Sequence, residues 1–328
     1  MEAPAAPSPH PVVALVGPTG SGKSAIALAA AAAHAPHVEI VAVDAFTVYR
    51  RMDVGTDKPS PAARAQVPHH GIDWLDPSDE CTVAWFQRRA RAAIAAIHRR
   101  GRVPLLVGGS GLYFRAVVDP LSFPPTDPTM RATVLEEVGG QAHRAHQRLR
   151  EVDPDAAARI DPENLRRSVR ALEVHRLTGV PFSAWRTAWE RYDSVYSELA
   201  VIGLHREPAA LAEAIAGRVT GMLAAGLVAE ARALALRPVG LSHTARQAIG
   251  YAEALAAIAA RPAVATPAAL AEAIARRTRR FAARQRRWFR RDPRVRWEHG
   301  HDAADALSEA LAEARGASGA DSPHRPTP

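Results

Sequence analysis

The chain has 328 residues, of which 47% are hydrophobic, so it can bury a sizeable core, and this composition excludes general disorder. Its formal net charge of +8 favours a polyanionic partner such as nucleic acid, although an Arg-rich composition also arises from genomic base bias. A single cysteine, Cys81, excludes an intrachain disulfide and a cysteine-based zinc site. No segment indicates a secretory signal or a membrane span, so we expect a soluble, cytoplasmic protein. We also expect a monomer.

The predicted elements alternate between buried strands and helices. After a flexible start at residues 1–11, apolar runs predict strands at 12–16, 38–43, 103–111 and 199–205, with a short late strand within 294–299. Helices are predicted at 23–34 and 82–100, the second capped by Thr82 and ended by Gly101. This alternation predicts an α/β fold with a parallel sheet flanked by helices on both faces.

Departures from this alternation set the boundaries of the predicted domains. Residues 120–189 lack apolar strands and carry charged helical segments, which indicates a helical insertion domain. Residues 12–119 and 190–305 would form the catalytic core, with mostly helical structure from 208 to 291. Residues 306–328 are expected to be a largely disordered tail.

A phosphate-binding motif lies between the first predicted strand and the first helix. The sequence GPTGSGKS fits G-x4-G-K-[ST] in the strand–loop–helix context that this P-loop pattern requires. Its backbone N–H groups and the helix N-terminus attract phosphate, Lys23 is expected to grip a terminal phosphate, and Ser24 is expected to ligate Mg²⁺. The predicted diphosphate- or nucleotide-binding residues are Gly17, Pro18, Thr19, Gly20, Ser21, Gly22, Lys23 and Ser24. The expected fold is therefore a P-loop NTPase-like sheet.

Two further positions carry titratable groups near predicted strand ends. Asp44 ends the second strand, at the sheet edge where open α/β folds place ligands. Its position alone is compatible with three roles: a metal ligand, a general base or a solvated acid. His69 and His70 have no third ligand at suitable spacing, so we expect hydrogen-bonding structural residues rather than a metal site.

An ordered set of segments across residues 12–300 resembles the tRNA dimethylallyltransferases, also called tRNA isopentenyltransferases. The segments are VDAFTVYRRMDVGTDKPS (43–60), HHGIDWLDP (69–77), VGGSGLYFRAV (107–117), RSVRALEVHRLTGVPFS (167–183), GRVTGMLAAGLVAEARAL (217–234), TARQAIGYAEAL (244–255) and TRRFAARQRRWFRR (278–291). A P-loop is shared by many families, whereas this ordered set is specific.

The resemblance implies a reaction and roles for three residues. The family transfers a dimethylallyl group from dimethylallyl diphosphate to the N6 amine of the adenine on the 3′ side of the anticodon. Asp44 matches the base that takes a proton from this amine, and Arg218 matches an arginine that stabilises charge on the leaving diphosphate. Ser110 matches a threonine that helps to hold the adenine and backbone.

The resemblance also implies contacts with tRNA. The helical insertion would grip the anticodon stem-loop, and the segment 276–296, with eleven arginines and interleaved aromatics, suits phosphate contact and base stacking. We expect Trp288 and Phe289 to lie mostly in the core. The predicted tRNA contacts are Asp44, Ala45, Phe46, Thr47, Ser110, Arg131, Arg166, Arg167, Arg170, Arg246, Gln247, Gly250, Tyr251, Arg284, Gln285 and Arg287.

Three positions depart from the family pattern. Ala45 replaces a serine, Thr47 replaces a glutamine that reads the adenine edge, and Ala283 replaces a lysine. The single hydroxyl of Thr47 has fewer hydrogen-bonding groups than the paired donor and acceptor of an amide. These changes therefore affect base recognition more than the reaction.

Alternative functions share part of this pattern. An adenylate isopentenyltransferase would use free AMP, ADP or ATP and would not need the basic helices. A nucleotide kinase or NTPase would consume ATP, and an RNA-binding protein with a decayed site would bind tRNA without transfer.

Overall fold

A computed structural model describes residues 8–260 and 266–320, and its centre is a six-stranded parallel sheet. The strands are β1 Val12–Val16, β2 Val38–Ala42, β3 His69–His70, β4 Val103–Gly108, β5 Leu199–His205 and β6 Val295–His299. Their order in the sheet is β3-β2-β4-β1-β5-β6. The predicted α/β fold with a parallel sheet is confirmed.

The described helices lie before, within and after a helical insertion. Before it come α1 Lys23–Ala33, α2 Pro61–Gln66, α3 Val83–Arg99 and α4 Gly111–Val118. Within it are α5 Pro128–Glu137, α6 Ala142–Val152, α7 Pro154–Ala157, α8 Leu165–Thr178 and a 3-10 helix Phe182–Trp189. After it come α9 Pro208–Ala224, α10 Leu227–Ala235, α11 His243–Arg246, α12 Tyr251–Ala259, α13 Pro267–Phe289 and α14 Gly300–Ala320.

The central strand β1 is buried on both faces, as its unbroken apolar sequence predicts. Val13 and Leu15 pack into a core with α1 and α14, whereas Ala14 and Val16 pack into the core on the opposite face. This alternation follows the two-residue period of a strand. Parallel pairing with β4 and β5 brings the carboxyl ends of three strands to one edge, where the phosphate loop begins.

The C-terminal helix corrects the prediction of a disordered tail. Ala303, Leu307 and Leu311 are fully buried against one face of the sheet, at the four-residue spacing of an apolar helix face. The prediction is wrong for residues 306–317, because this segment is rich in Ala and Leu and carries the stripe, unlike the Ser- and Pro-containing end of the chain. Residues 321–328 lie outside the described part of the chain.

The predicted flexible start is only partly described. Residues 1–7 lie outside the described part of the chain, and Ser8 forms a bridge with Tyr196. The backbone N–H of Ser8 donates to the Val195 carbonyl at 2.7 Å, which ties this point of the chain beside β5.

The chain divides into two compact units, residues 1–119 with 194–328 and residues 120–193. The second unit has its own small core, which includes Val134, Leu149 and Leu172 from α5, α6 and α8. Among the described helices none is individually long and apolar enough to cross a membrane. The bent pair α9 and α10, with 59° between them, passes that test jointly on length and composition alone.

Candidate active site

The phosphate loop joins β1 to α1 in a conformation that its glycines permit. Gly20 and Gly22 have φ angles of +80° and +97°, which residues with a Cβ rarely adopt. Gly22 directly precedes α1, so the positive end of the helix dipole faces the loop. The hydroxyl oxygen of Ser21 is buried and has no hydrogen-bond partner in the described chain, which marks it as a group that a ligand can satisfy.

Three side chains from distant parts of the sequence hold this loop. The Thr19 N–H donates to Oε1 of Gln285 at 2.9 Å, and the Thr19 hydroxyl accepts from Arg218 at 2.8 Å. Arg206, which follows β5, donates to the Gly20 carbonyl at 2.9 Å. The loop is therefore shaped before a ligand binds, which lowers the cost of ordering it around an anion.

Positive charge is concentrated at the start of α1. The pKa of Lys23 is lowered to about 8, first by burial and then by repulsion from Arg218, while Asp44 and Asp57 oppose this change. Arg218 lies 3.5 Å from a carboxylate oxygen of Asp57, whose side chain is 60% exposed, so this ion pair is weak. Two cations thus lie close together at the loop, in a place where an anion would relieve their repulsion.

Asp44 lies just beyond β2 and lines the same cavity as Thr19 and Lys23 of the loop. One oxygen of its carboxylate accepts the Phe46 N–H at 2.8 Å. The cavity has a volume of about 410 Å³, and its lining includes Asp44, Lys23 and Arg218. Thr47 also lines it and donates its hydroxyl to the Gly71 carbonyl at 3.1 Å. A carboxylate and a phosphate site therefore face one cavity.

Other residues predicted near the reacting groups lie at or beside this cavity. Ser24 is exposed at the first turn of α1 and lines the cavity with Phe46, whereas Ala45 is buried in the core. Ser110 is half-buried at the start of α4 and does not use its side chain to cap the helix. It follows the lining residue Gly109 directly, so it lies next to the cavity rather than among the residues that line it.

The predicted tRNA contacts at 246–251 separate into exposed and buried residues. Arg246 and Gln247 are exposed. Tyr251 is fully buried, donates its hydroxyl to Glu230 and accepts the Gly55 N–H at 3.1 Å. Tyr251 is therefore a core residue whose hydroxyl is satisfied by partners within the protein. Gly250 is also buried, with φ of +94° at the start of α12, next to Leu227.

The arginine-rich helix α13 shows a similar division. Arg284 and Arg287 are exposed, as a solvent- or RNA-facing role requires. Gln285 is 5% exposed, accepts the Thr19 N–H of the phosphate loop and lines the cavity, and its contact with tRNA stays a prediction. Phe289 is fully buried, whereas Trp288 is 40% exposed and its ring packs on Gly111, where a Cβ would approach it to 2.1 Å.

In the insertion, a buried carboxylate organises two of the four predicted arginine contacts. Glu173 is fully buried and receives ion pairs from Arg131 at 2.9 Å and Arg170 at 3.0 Å. Arg166 and Arg167 are exposed on the first turn of α8. The four predicted arginine contacts are therefore divided between two that pair with Glu173 and two on the exposed first turn of α8.

The adjacent histidines of β3 make internal contacts. His69 lies 2.7 Å from the Val67 carbonyl, and His70 lies 2.6 Å from a carboxylate oxygen of the buried Glu39. Both contacts suit a structural role at the sheet edge.

Sequence reasoning missed three residues that shape the site. Arg206 could have been found from its position directly after β5, at the ligand-binding edge of the sheet. Asp57 and Glu230 gave no local signal. Glu230 accepts the N–H groups of Asp53 and Val54, and so fixes the segment that carries Asp57.

Comparisons with known proteins agree with this geometry. The model of the family described as IPP transferase matches residues 47–292. A tRNA dimethylallyltransferase of Salinispora arenicola is 48% identical over 309 residues, which are 93% of this chain and 87% of the relative.

Two solved structures are also similar. A full-length tRNA isopentenylpyrophosphate transferase from Bacillus halodurans is 34% identical, with a TM-score of 0.65 and coverage of 95% of this chain and 98% of the other. A eukaryotic dimethylallyltransferase acting on tRNA is 25% identical, with a TM-score of 0.74 and coverage of 88% and 74%. From the matched family model and this identity, the chain belongs to the IPP transferase family.

Proposed function

We propose that the protein transfers a dimethylallyl group from dimethylallyl diphosphate to the N6 amine of the adenine on the 3′ side of the anticodon in tRNA. The observation that carries this proposal is that the phosphate loop and Asp44 line one cavity. Similarity to tRNA dimethylallyltransferases over more than nine-tenths of the chain supports the same reaction.

The loop end of the cavity suits a departing diphosphate. Cleavage of the allylic C–O bond leaves the bonding electron pair on the diphosphate oxygen. Lys23, Arg218 and the N–H groups at the start of α1 stabilise the negative charge that develops there, and they are already in position before the reaction. The repulsion between the two cations is relieved when the diphosphate binds.

Asp44 suits the proton transfer. The N6 nitrogen forms a bond to the allylic carbon as the C–O bond breaks, and the amine proton passes to the Asp44 carboxylate. The Phe46 N–H occupies one carboxylate oxygen and fixes its orientation, which leaves the second oxygen for the amine. The products are an N6-alkylated adenine, diphosphate and a proton.

The donor atoms present fit Mg²⁺. The Ser24 hydroxyl is an oxygen ligand at the phosphate-binding loop, and Mg²⁺ is commonly held by one or two protein oxygens together with substrate phosphates. Ser24 would hold the ion, which when bound supplies further positive charge to the diphosphate.

Recognition of the adenine involves the positions that depart from the family pattern. The hydroxyl hydrogen of Thr47 is donated to Gly71, so its oxygen can only accept a further hydrogen bond. A glutamine at this position would offer both a donor and an acceptor. Thr47 therefore suits an amine edge of the base, and Ser110 beside the cavity offers a second hydroxyl.

The anticodon stem-loop has basic surfaces available in both units. Arg166 and Arg167 on α8 are exposed, as are Arg284 and Arg287 on α13. Their guanidinium groups suit phosphate contacts, and the partly exposed Trp288 suits base stacking. The adenine must leave its stack to reach the cavity, which costs a few kcal/mol and less in a loop that is already single-stranded.

Transfer of label separates this function from its alternatives. Purified protein is incubated with labelled dimethylallyl diphosphate, Mg²⁺ and either unmodified tRNA or AMP. The proposal predicts label in tRNA, whereas label in AMP alone identifies an adenylate isopentenyltransferase. ATP consumption without prenyl transfer identifies a kinase or NTPase, and tRNA binding without transfer identifies an RNA-binding protein.

A further inference from the structure

Two histidines meet at the carboxyl edge of the sheet, outside the cavity that Asp44 and Lys23 line. His205 ends β5 and His299 ends β6, and the two residues are direct partners in the parallel register. Directly paired residues of neighbouring strands project to the same face. Their imidazole rings are accordingly 4.4 Å apart between centroids, and their Nδ1 atoms are 3.3 Å apart.

The Nδ1 separation is that of two ligands on one tetrahedral ion. With metal–nitrogen bonds of about 2.0–2.1 Å, a tetrahedral Zn²⁺ holds two nitrogens about 3.3 Å apart. The two Nδ1 atoms are also within hydrogen-bond distance of each other, and a bound ion would replace that contact.

A carboxylate close in sequence provides a third potential metal ligand. Glu207 lies two residues after His205, and its Oε1 atom is 3.7 Å from the same Nδ1 atom. The three potential ligand atoms all lie within 4.8 Å of one another. The Glu207 side chain is 71% exposed, so a small rotation of this acid brings its oxygen to bonding distance.

We propose that His205, Glu207 and His299 form a binding site for a divalent transition-metal ion, most favourably Zn²⁺. Two imidazoles and a carboxylate are a ligand set that suits Zn²⁺, Co²⁺ and Ni²⁺ and is poorly matched to Mg²⁺, which selects oxygen ligands. The partial exposure of the three residues leaves the fourth position of the ion to water.

This site adjoins the phosphate loop through one residue. In the sequence, Arg206 lies between the proposed ligands His205 and Glu207, and its side chain donates to the Gly20 carbonyl. A bound ion would cross-link the end of β5 to β6 and fix the start of α9, the segment that positions Arg206. The site is separate from the Ser24 position proposed for Mg²⁺.

Titration with Co²⁺ and Zn²⁺ tests the proposal without using enzyme activity. Untagged full-length protein is treated with a chelator, and Co²⁺ is then added while visible absorption is recorded. The expected result is a spectrum of four-coordinate Co²⁺ that saturates at one ion per chain and is displaced by Zn²⁺. Calorimetric titration with Zn²⁺ should give the same stoichiometry.

Variants locate the ion. His299→Ala and Glu207→Gln should each weaken Zn²⁺ binding at least about 10-fold, since removal of groups that only support ligands already costs that much. His301→Ala is the matched control, because His301 is 90% exposed, lies near Asp305 and is not a proposed ligand. Circular dichroism verifies that each variant is folded. Absence of stoichiometric binding, unchanged binding in His299→Ala, or an equal loss in His301→Ala would overturn the proposal.

Discussion

Arginines in the two units of the molecule have different partners, and the difference separates binding groups from structural ones. At the phosphate loop, Arg218 contacts the Thr19 hydroxyl and the exposed carboxylate of Asp57, beside the partly buried Lys23. In the insertion, Arg131 and Arg170 both pair with the fully buried Glu173. A guanidinium that a buried acid neutralises stabilises the unit, whereas one without such an acid can stabilise charge on a ligand.

The largest effect is expected at the cavity beside the phosphate loop, where Asp44 is the proposed base. Asp44→Ala and Asp44→Asn should each lower the rate of prenyl transfer by about 10²–10⁴-fold, the usual contribution of a general base. Asparagine can still accept the Phe46 N–H, so loss of rate in both variants separates proton transfer from the structural contact. Single-turnover kinetics with tRNA measure the rate, and gel-shift titration should show nearly unchanged tRNA affinity. Wild-type turnover in Asp44→Asn would contradict the assigned role.

The second effect concerns the buried carboxylate of the insertion. Glu173→Ala removes the shared partner of Arg131 and Arg170 and an acceptor for the Asp127 N–H. We expect a loss of about 2–3 kcal/mol in the free energy of unfolding, below the range for fully buried pairs because both arginines are partly exposed. Urea denaturation measures the loss, with Arg167→Ala as a control expected within about 0.5 kcal/mol of wild type. Equal stability of Glu173→Ala and wild type would exclude an organising role for this carboxylate.

The third effect is a pH dependence at the phosphate loop. Because the pKa of Lys23 is lowered from 10.5 to about 8, the free protein loses this positive charge as the pH rises through 8. Affinity for the diphosphate donor should therefore fall up to about tenfold between pH 7 and pH 9, in proportion to the charged fraction. Calorimetric titration with the donor measures this change.

Lys23→Arg provides the control for that titration, since arginine stays charged throughout this range. Its donor affinity should be almost independent of pH, whatever its absolute value. The same steep pH dependence in Lys23→Arg would show that another group is responsible.

The smallest effect is expected at the exposed arginines of the insertion. Arg166→Ala and Arg167→Ala should each weaken tRNA binding severalfold and reduce the slope of log affinity against log salt concentration by about one, because each variant neutralises one phosphate fewer. The rate of transfer at saturating tRNA should not change. Binding titrations at several salt concentrations measure both the affinity and the slope. Wild-type affinity and salt dependence in the double variant would remove the insertion from the proposed tRNA interface.

The sequence predicts local features of this molecule better than long-range ones. The phosphate loop is one contiguous motif, and Thr82 caps α3 as predicted because its side chain accepts the nearby Trp85 N–H. The internal contacts of Gln285 and Tyr251 are not predicted, because the sequence of a single helix does not show which element packs against it. Their partners, Thr19 and Glu230, come from distant parts of the chain. Only the tertiary structure brings these groups together.

The most direct test of the central claim is mass spectrometry of tRNA nucleosides. Unmodified tRNA is incubated with purified protein, dimethylallyl diphosphate and Mg²⁺, and is then digested to nucleosides. The account predicts adenosine that carries one dimethylallyl group at N6, from the position next to the anticodon, and almost none with Asp44→Asn. Recovery of unmodified adenosine alone from the folded wild-type protein would contradict it.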